Sequence, residues 1–148
     1  MNGRNGKSFL WLLVCALAFT SCRCGDVDCS NTPYFGFRII DNAGNDLVFK
    51  MNEPVEHFTL ETVTGTIIPI STVNDHQDFL IARLIPGLTQ YTLRYKSESV
   101  GLLVTYETYH EDCCANEFQR VTSVSTSANS LAMDPAFSDI DVYIVRLQ

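Results

Sequence analysis

Apolar and polar side chains alternate along most of this chain, in short runs that are separated by turn-forming residues. Residues 90–96 show the alternation most clearly, because Tyr91, Leu93 and Tyr95 are each followed by a polar residue. A period of two places the apolar side chains on one face of a strand, and no window longer than two turns has the helical period. The pattern therefore predicts an all-β domain built from short strands.

The runs and the turns between them predict how these strands are arranged. We expect strands at 34–40, 46–51, 56–63, 66–72, 78–85, 90–96, 101–110, 117–125 and 140–147. Residues 41–45, Asp-Asn-Ala-Gly-Asn, favour a tight turn that joins the first two strands as an antiparallel hairpin. Pro69 indicates a sheet edge or a bulge, and Pro86 with Gly87 suits a type II turn. Eight or nine short strands favour an antiparallel two-sheet immunoglobulin-like sandwich, with a small β-barrel as the alternative.

The N-terminal residues have the features of a bacterial signal peptide. Arg4 and Lys7 form a short basic region, and residues 8–19 are apolar but too few to span a bilayer comfortably. The next residues, Thr-Ser before Cys22, resemble the lipobox of bacterial lipoproteins. This resemblance implies cleavage after residue 21 and a diacylglycerol on Cys22; ordinary secretory cleavage near the same place is the alternative.

The lipobox resemblance divides the chain into a signal peptide (1–21), a lipidated tether (22–32) and a sandwich domain (33–148). Each buried methylene of an acyl chain contributes about 0.8 kcal/mol, so two or three chains hold such a protein stably on a bilayer. Arg23 stands where an Asp would favour retention in the inner membrane, so the resemblance implies the outer membrane. Whether the domain faces the periplasm or the cell surface stays open.

Four cysteines remain after Cys22, namely Cys24, Cys29, Cys113 and Cys114. An even number in an oxidising compartment indicates two disulfides, and the sequence does not choose among the three pairings. A bond between the adjacent Cys113 and Cys114 would require a strained peptide, so we expect each of them to reach back to Cys24 or Cys29.

Several features together resemble small uncharacterised Bacteroidetes lipoproteins. They are the lipobox cysteine, Phe-Arg-Ile-Ile-Asp at 37–41 with Gly-Asn-Asp-Leu at 44–47, and the late cysteine pair at 113–114. The resemblance implies a location and a fold, and it carries no activity to this chain.

The chain is acidic, and it becomes more acidic when the signal peptide is removed. Its net charge of -7 changes to -9 because residues 1–21 hold two basic side chains and no acidic one. Nucleic-acid modules need clustered Lys and Arg to displace counterions, and no such cluster occurs. Nucleic acid is therefore excluded as a partner.

Two stretches contain residue types that ligate metals. Residues 110–114, His-Glu-Asp-Cys-Cys, carry donors for zinc, but zinc ligands usually lie two to four residues apart, and we favour disulfides here. Asp41 and Asp46 are weak candidates for calcium, because the EF-hand spacing is absent and a turn explains the same residues. We expect no bound metal or cofactor.

Catalytic motifs are absent from the sequence, whereas aromatic residues offer a binding hypothesis. His57 and His76 fall at polar positions and are expected to be solvated, and no nucleophile motif accompanies them. Tyr106, Tyr109, Phe118 and Tyr143 are candidates for stacking on a sugar or anchoring a protein, against the alternative that they fill the core. The single tryptophan lies within the signal peptide, which weakens the sugar hypothesis.

These observations favour a non-enzymatic envelope lipoprotein, whose sandwich is a structural or protein-interaction module with a protein partner. A carbohydrate-binding or glycan-binding accessory protein is the second interpretation. A small hydrolase or inhibitor is the third, and it requires a pocket with converging titratable groups.

Overall fold

The computed structural model describes residues 32–73, 78–110, 117–127, 129–137 and 140–147. These residues form one short 3₁₀ turn, Val55–His57, and nine strands. The strands are β1 (Tyr34–Ile40), β2 (Phe58–Thr62), β3 (Ile67–Ile68), β4 (Ile70–Val73), β5 (Phe79–Arg83), β6 (Gln90–Tyr95), β7 (Glu98–His110), β8 (Glu117–Ser125) and β9 (Val142–Arg146). No helix in these ranges is long and apolar enough to cross a membrane. The predicted all-β fold is confirmed.

The strands form two sheets that are not closed into a barrel. The first has the order β4-β5-β1-β9, and the second has the order β3-β2-β6-β7-β8. All neighbouring strands are antiparallel except β1 and β9, which run parallel. The predicted two-sheet sandwich is therefore confirmed, with one parallel pair that the sequence did not predict.

The core lies between the inner faces of the two sheets and follows the alternation in the sequence. Phe35, Phe37 and Ile39 of β1 are almost fully buried, and the first two rings stack with centroids 4.7 Å apart. They share one cluster with Leu60 of β2 and Leu93 of β6, from the opposite sheet. Burying each such side chain contributes about 1.5–3 kcal/mol, so this cluster supplies much of the stability.

The chain crosses between the sheets at their edges. Pro69 separates β3, an edge of the second sheet, from β4, an edge of the first. A proline cannot donate to a ladder, so it suits a position where one strand ends and another begins. The predicted edge position of this proline is confirmed.

A second crossing follows β8. The Leu131 N–H donates to the Val124 carbonyl of β8 at 2.8 Å, and the Ile144 N–H of β9 donates to the Ala132 carbonyl at 2.9 Å. Residues 130–134 therefore hydrogen-bond to one edge strand of each sheet.

The predicted turn at 41–45 is present, since the Asp41 N–H donates to the Asn45 carbonyl at 3.0 Å, but the predicted strand at 46–51 is wrong. A single bridge joins Ile40, the last residue of β1, to Asp46, and residues 47–51 form turns rather than a strand. The Asp46 carboxylate accepts the N–H groups of Val48 and Phe49, and this local bonding competes with a strand ladder. Strand β1 pairs with β5 and β9 instead.

The predicted type II turn at Pro86 and Gly87 is present. Gly87 has a φ of 76°, and the Leu88 N–H donates to the Ile85 carbonyl at 3.1 Å. The third position of this turn requires a positive φ, which glycine adopts without a steric cost. The turn directs the chain from β5 into β6.

Candidate functional site

Strands β7 and β8 form a long hairpin that extends past the rest of its sheet. The first part of β7 pairs with β6 up to Leu103, and residues 104–110 pair with β8 only. The register shifts between Thr105 and Tyr106, a bulge that increases the local twist. The outer part of the hairpin is thus free to approach the other sheet.

Two hydrogen bonds fix this hairpin to the connection between β5 and β6. The Tyr106 hydroxyl donates to the Leu88 carbonyl at 2.7 Å, and the Gly87 N–H donates to Oε1 of Gln119 at 2.7 Å. The Tyr106 hydroxyl also lies 3.4 Å from that of Tyr91. Tyr106 therefore has a structural role, which explains one of the four predicted aromatic candidates without a ligand.

A cleft of about 580 Å³ lies between the hairpin and the first sheet. We call it the tyrosine cleft, because Tyr34, Tyr109 and Tyr143 line it together with Phe118, Ile81 and Ile140. Its volume lies within the usual range of ligand sites. Three predicted aromatic candidates line it, but only Tyr109 is exposed, whereas Phe118 and Tyr143 are buried as the alternative of core packing predicted.

Two rings of the tyrosine cleft are open to solvent, and a guanidinium lies over each of them. Tyr34 is 43% exposed with the Arg83 guanidinium carbon 5.5 Å from its ring centroid. Tyr109 is 40% exposed with the Arg120 guanidinium carbon 5.9 Å away. Such contacts are attractive by about 0.5–1 kcal/mol at exposed sites, so they favour one position of each ring. Sequence reasoning missed Tyr34, although an aromatic residue next to the inward Phe35 was its signal.

Tyr143 lines the cleft, but its hydroxyl is shielded from solvent. Tyr143 is 3% exposed, and its hydroxyl has no hydrogen-bond partner among the residues that the structure describes. Burial raises the pKa of this phenol, and the negative charge of Asp141 raises it further. Its ring packs against Phe35 of the core with centroids 5.8 Å apart, so Tyr143 contributes to packing, and its unsatisfied hydroxyl costs about 1–3 kcal/mol.

Gly36 allows the chain to close tightly behind the cleft. A Cβ atom at this position would lie 3.0 Å from the Asp141 carbonyl oxygen. Glycine therefore permits the segment that enters β9 to approach β1 closely, and it keeps this part of the wall free of a side chain.

A second polar cluster lies further along β1. Arg38 donates from Nε to Oδ2 of Asp46 at 2.7 Å and from Nη1 to Oδ2 of Asp134 at 2.8 Å. Partial burial opposes the charge on Arg38, but its hydrogen bonds to the two carboxylates outweigh this effect and raise its pKa. Oδ1 of Asp134 accepts the Ala136 N–H at 3.0 Å. This cluster is saturated by its own partners and ties two loops to β1.

The calcium candidates Asp41 and Asp46 both accept protein donors. Asp46 belongs to the Arg38 cluster, and Asp41 accepts the side-chain and backbone N–H groups of Asn45, which lower its pKa. In the described ranges no group of three or more His, Cys, Asp or Glu side chains is arranged to hold a metal. The structure therefore gives no support to a calcium site there.

The remaining candidates are histidine and cysteine residues, most of which lie outside the described residues. His57 is exposed and contacts Glu53 at 3.1 Å through Nδ1. Cys22, Cys24, Cys29, Cys113, Cys114 and His76 lie outside the described residues. Lipidation, disulfides and a zinc site thus stay predictions.

Comparison with known families, curated proteins and solved structures finds no match for this chain. The exposed rings and the side-chain amide of Gln119 are groups that can contact a ligand by stacking and hydrogen bonding.

Proposed function

We propose that this chain is an envelope lipoprotein that is anchored by diacylglycerol at Cys22 to the outer membrane and binds a partner protein through its β-sandwich. One observation carries the binding part of the proposal: the tyrosine cleft places two exposed aromatic rings, Tyr34 and Tyr109, in one concave site. Aromatic anchors in a concave, largely apolar site are characteristic of binding sites. No enzymatic activity belongs to the proposal.

The position of the cleft relative to the anchor fits a binding site near a membrane. Thr32, the first described residue, lines the tyrosine cleft. The chain from Cys22 to Thr32 spans at most about 35 Å when fully extended. A partner in the cleft would thus lie within this distance of the lipid attachment point.

The anchor is tested by mass spectrometry of the protein from membranes of a Bacteroidetes host, together with a Cys22→Ser variant. We expect a diacylglycerol-modified N-terminal peptide starting at Cys22 and release of the variant into the soluble fraction. A Cys22 without lipid in the membrane-bound protein would contradict the lipoprotein proposal.

Partner binding is tested by placing a photo-crosslinking amino acid at position 109 in the cleft and, as a control, at position 67. Ile67 is exposed on β3, which lies at the opposite edge of its sheet from β8. We expect one discrete protein adduct from position 109 that Tyr34→Ala abolishes, and none from position 67. Equal crosslinking at both positions would contradict the cleft as the site.

A glycan is the second candidate ligand. Gln119, Arg120 and Asp141 line the tyrosine cleft and present planar polar groups beside the exposed rings. Sugar hydroxyls bond to such groups while the sugar face stacks on an aromatic ring. Titration with cellotetraose, followed by the amide signals of cleft residues, tests this candidate.

A further inference from the structure

Strand β8 is an edge strand with an open half. It pairs with β7 on one side, and on its other side the chain covers only its end, where Leu131 bonds to Val124 and Ser130 bridges to Ser125. Over residues 117–123, none of the described residues forms a ladder with its outer side. The N–H and C=O groups of such an edge are a template for another strand.

The open half of β8 borders the tyrosine cleft with its main chain. Four successive residues line the cleft: Phe118, Gln119, Arg120 and Val121. Successive side chains of a strand point to opposite faces, so a strand that presented one face would contribute every second residue. Four in a row indicate that the cleft meets the strand at its edge.

The opposite wall has a similar character. Thr32, Pro33 and Tyr34 are also successive residues that line the cleft. The cleft is therefore a slot between two lengths of extended chain. An extended peptide has the shape and the regularly spaced polar groups that fill such a slot.

We propose that the tyrosine cleft binds an extended peptide of about four residues, which adds as a strand to β8 along Phe118–Val121. This inference rests on the proposed function and names the kind of segment that the partner contributes. The main chain of the peptide bonds to the β8 edge, and alternate apolar side chains contact the rings of Tyr34 and Tyr109.

Another segment of the protein already lies against the end of the β8 edge. Residues 130–131 lie against the end of β8, and the chain then leaves for β9, where the Asp134 N–H donates to the Val142 carbonyl at 2.7 Å. A bound peptide would extend this arrangement along the rest of the strand. Because Arg120 is paired with Glu107, we expect the site to select apolar side chains rather than charge.

The test uses two labelled peptides and the full-length chain. One probe is acetyl-Ser-Val-Tyr-Val-Ser-amide, and the other has the same side chains but N-methyl groups on its three central residues, which remove the N–H donors of a strand. We expect the first to bind with a dissociation constant below about 1 mM and the second at least about tenfold more weakly. The amide signals of Phe118–Val121 should shift on binding of the first probe.

Variants locate the binding. Tyr34→Ala and Tyr109→Ala change half-exposed side chains, so both should fold, and each should weaken binding at least about fivefold. Ile67→Ala removes an exposed apolar side chain on β3 and should leave the affinity unchanged.

Three other outcomes would each contradict strand addition, and they can be told apart. Equal affinity for both probes, lost in the tyrosine variants, would leave the cleft as a partner site but exclude pairing with β8. Binding of neither probe at about 1 mM would exclude a peptide ligand of this kind. Binding of cellotetraose without the peptide would favour the glycan. The crosslinking experiment above tests partner binding independently.

Discussion

Two neighbouring parts of β1 differ in whether the polar groups beside them are hydrogen-bonded. At Arg38, a guanidinium and two carboxylates are matched to one another and to backbone N–H groups. Around Gly36, two positions earlier, the wall of the tyrosine cleft contains a buried hydroxyl that the described residues leave unmatched. The first region holds the fold together, and the second borders a cleft with two exposed rings, Tyr34 and Tyr109.

Within β1, the Arg38 cluster contributes to stability, whereas the region around Gly36 borders the proposed binding site. Asp46 and Asp134 are buried, and they lie on segments that are far apart in sequence. Arg38 joins them through one side chain, so the cluster fixes where two loops meet the first sheet. The cleft does the reverse, because its exposed rings remain open to solvent. Variants in the two regions should therefore have different effects.

The largest effect is expected at Arg38. Arg38→Met leaves two buried carboxylates without their counter-charge and should lower the free energy of unfolding by about 3–5 kcal/mol. Arg94→Met breaks the exposed pair with Glu61 and should cost about 1 kcal/mol or less. Urea unfolding of both variants measures the difference. Similar losses in the two variants would contradict the assignment of Arg38 as the central tie.

The next largest effect distinguishes two tyrosine hydroxyls. Tyr106→Phe removes the bond to the Leu88 carbonyl and the contact with Tyr91, and we expect a loss of about 1–2 kcal/mol. Tyr143→Phe removes a hydroxyl without a described partner, and stability should stay unchanged or rise by up to about 1 kcal/mol.

Thermal unfolding measures the difference between the two variants. Tyr106→Phe should lower the midpoint of unfolding, whereas Tyr143→Phe should not. A clear loss of stability in Tyr143→Phe would show that its hydroxyl is already satisfied, and the argument from the unmatched group would fail.

Most of the fold was predictable because strand periodicity is a local signal. Tyr34–Ile40 and Glu117–Ser125 were predicted with the bounds that the structure has. The strand at 46–51 was not, because Asp46 bonds to Val48 and Phe49, and turn chemistry outweighs an apolar pattern of only three residues. The parallel pairing of β1 with β9 joins distant segments and has no local signature.

The site was predictable only in part. Aromatic candidates could be named, and three of the four meet in the cleft. The slot itself depends on how far the β7–β8 hairpin extends past β6, which is a property of tertiary packing. Arg38 and Asp134 are separated by 96 positions, so their contact was equally invisible in the sequence.

The smallest effect is expected at Glu53, an exposed counterpart to the buried Arg38 cluster. Hydrogen bonds with His57, Tyr95 and Lys96 lower the pKa of Glu53 to about 2. Because this folded-state pKa lies below the unfolded value, the carboxylate contributes stability above about pH 4.5, and the contribution is lost as the pH falls toward about 2.

Glu53→Gln should therefore reduce the loss of stability between about pH 5 and about pH 3, and Glu56→Gln, also on the exposed surface, is the matched control. Since Glu53 lies in solvent, about 1 M salt should diminish the difference between wild type and Glu53→Gln, whereas the deficit of Arg38→Met should persist. Urea midpoints at the two pH values and two salt concentrations measure both effects. If salt reduced the Arg38 deficit equally, the cluster would be behaving as a surface ion pair, and the contrast between the two parts of β1 would have to be abandoned.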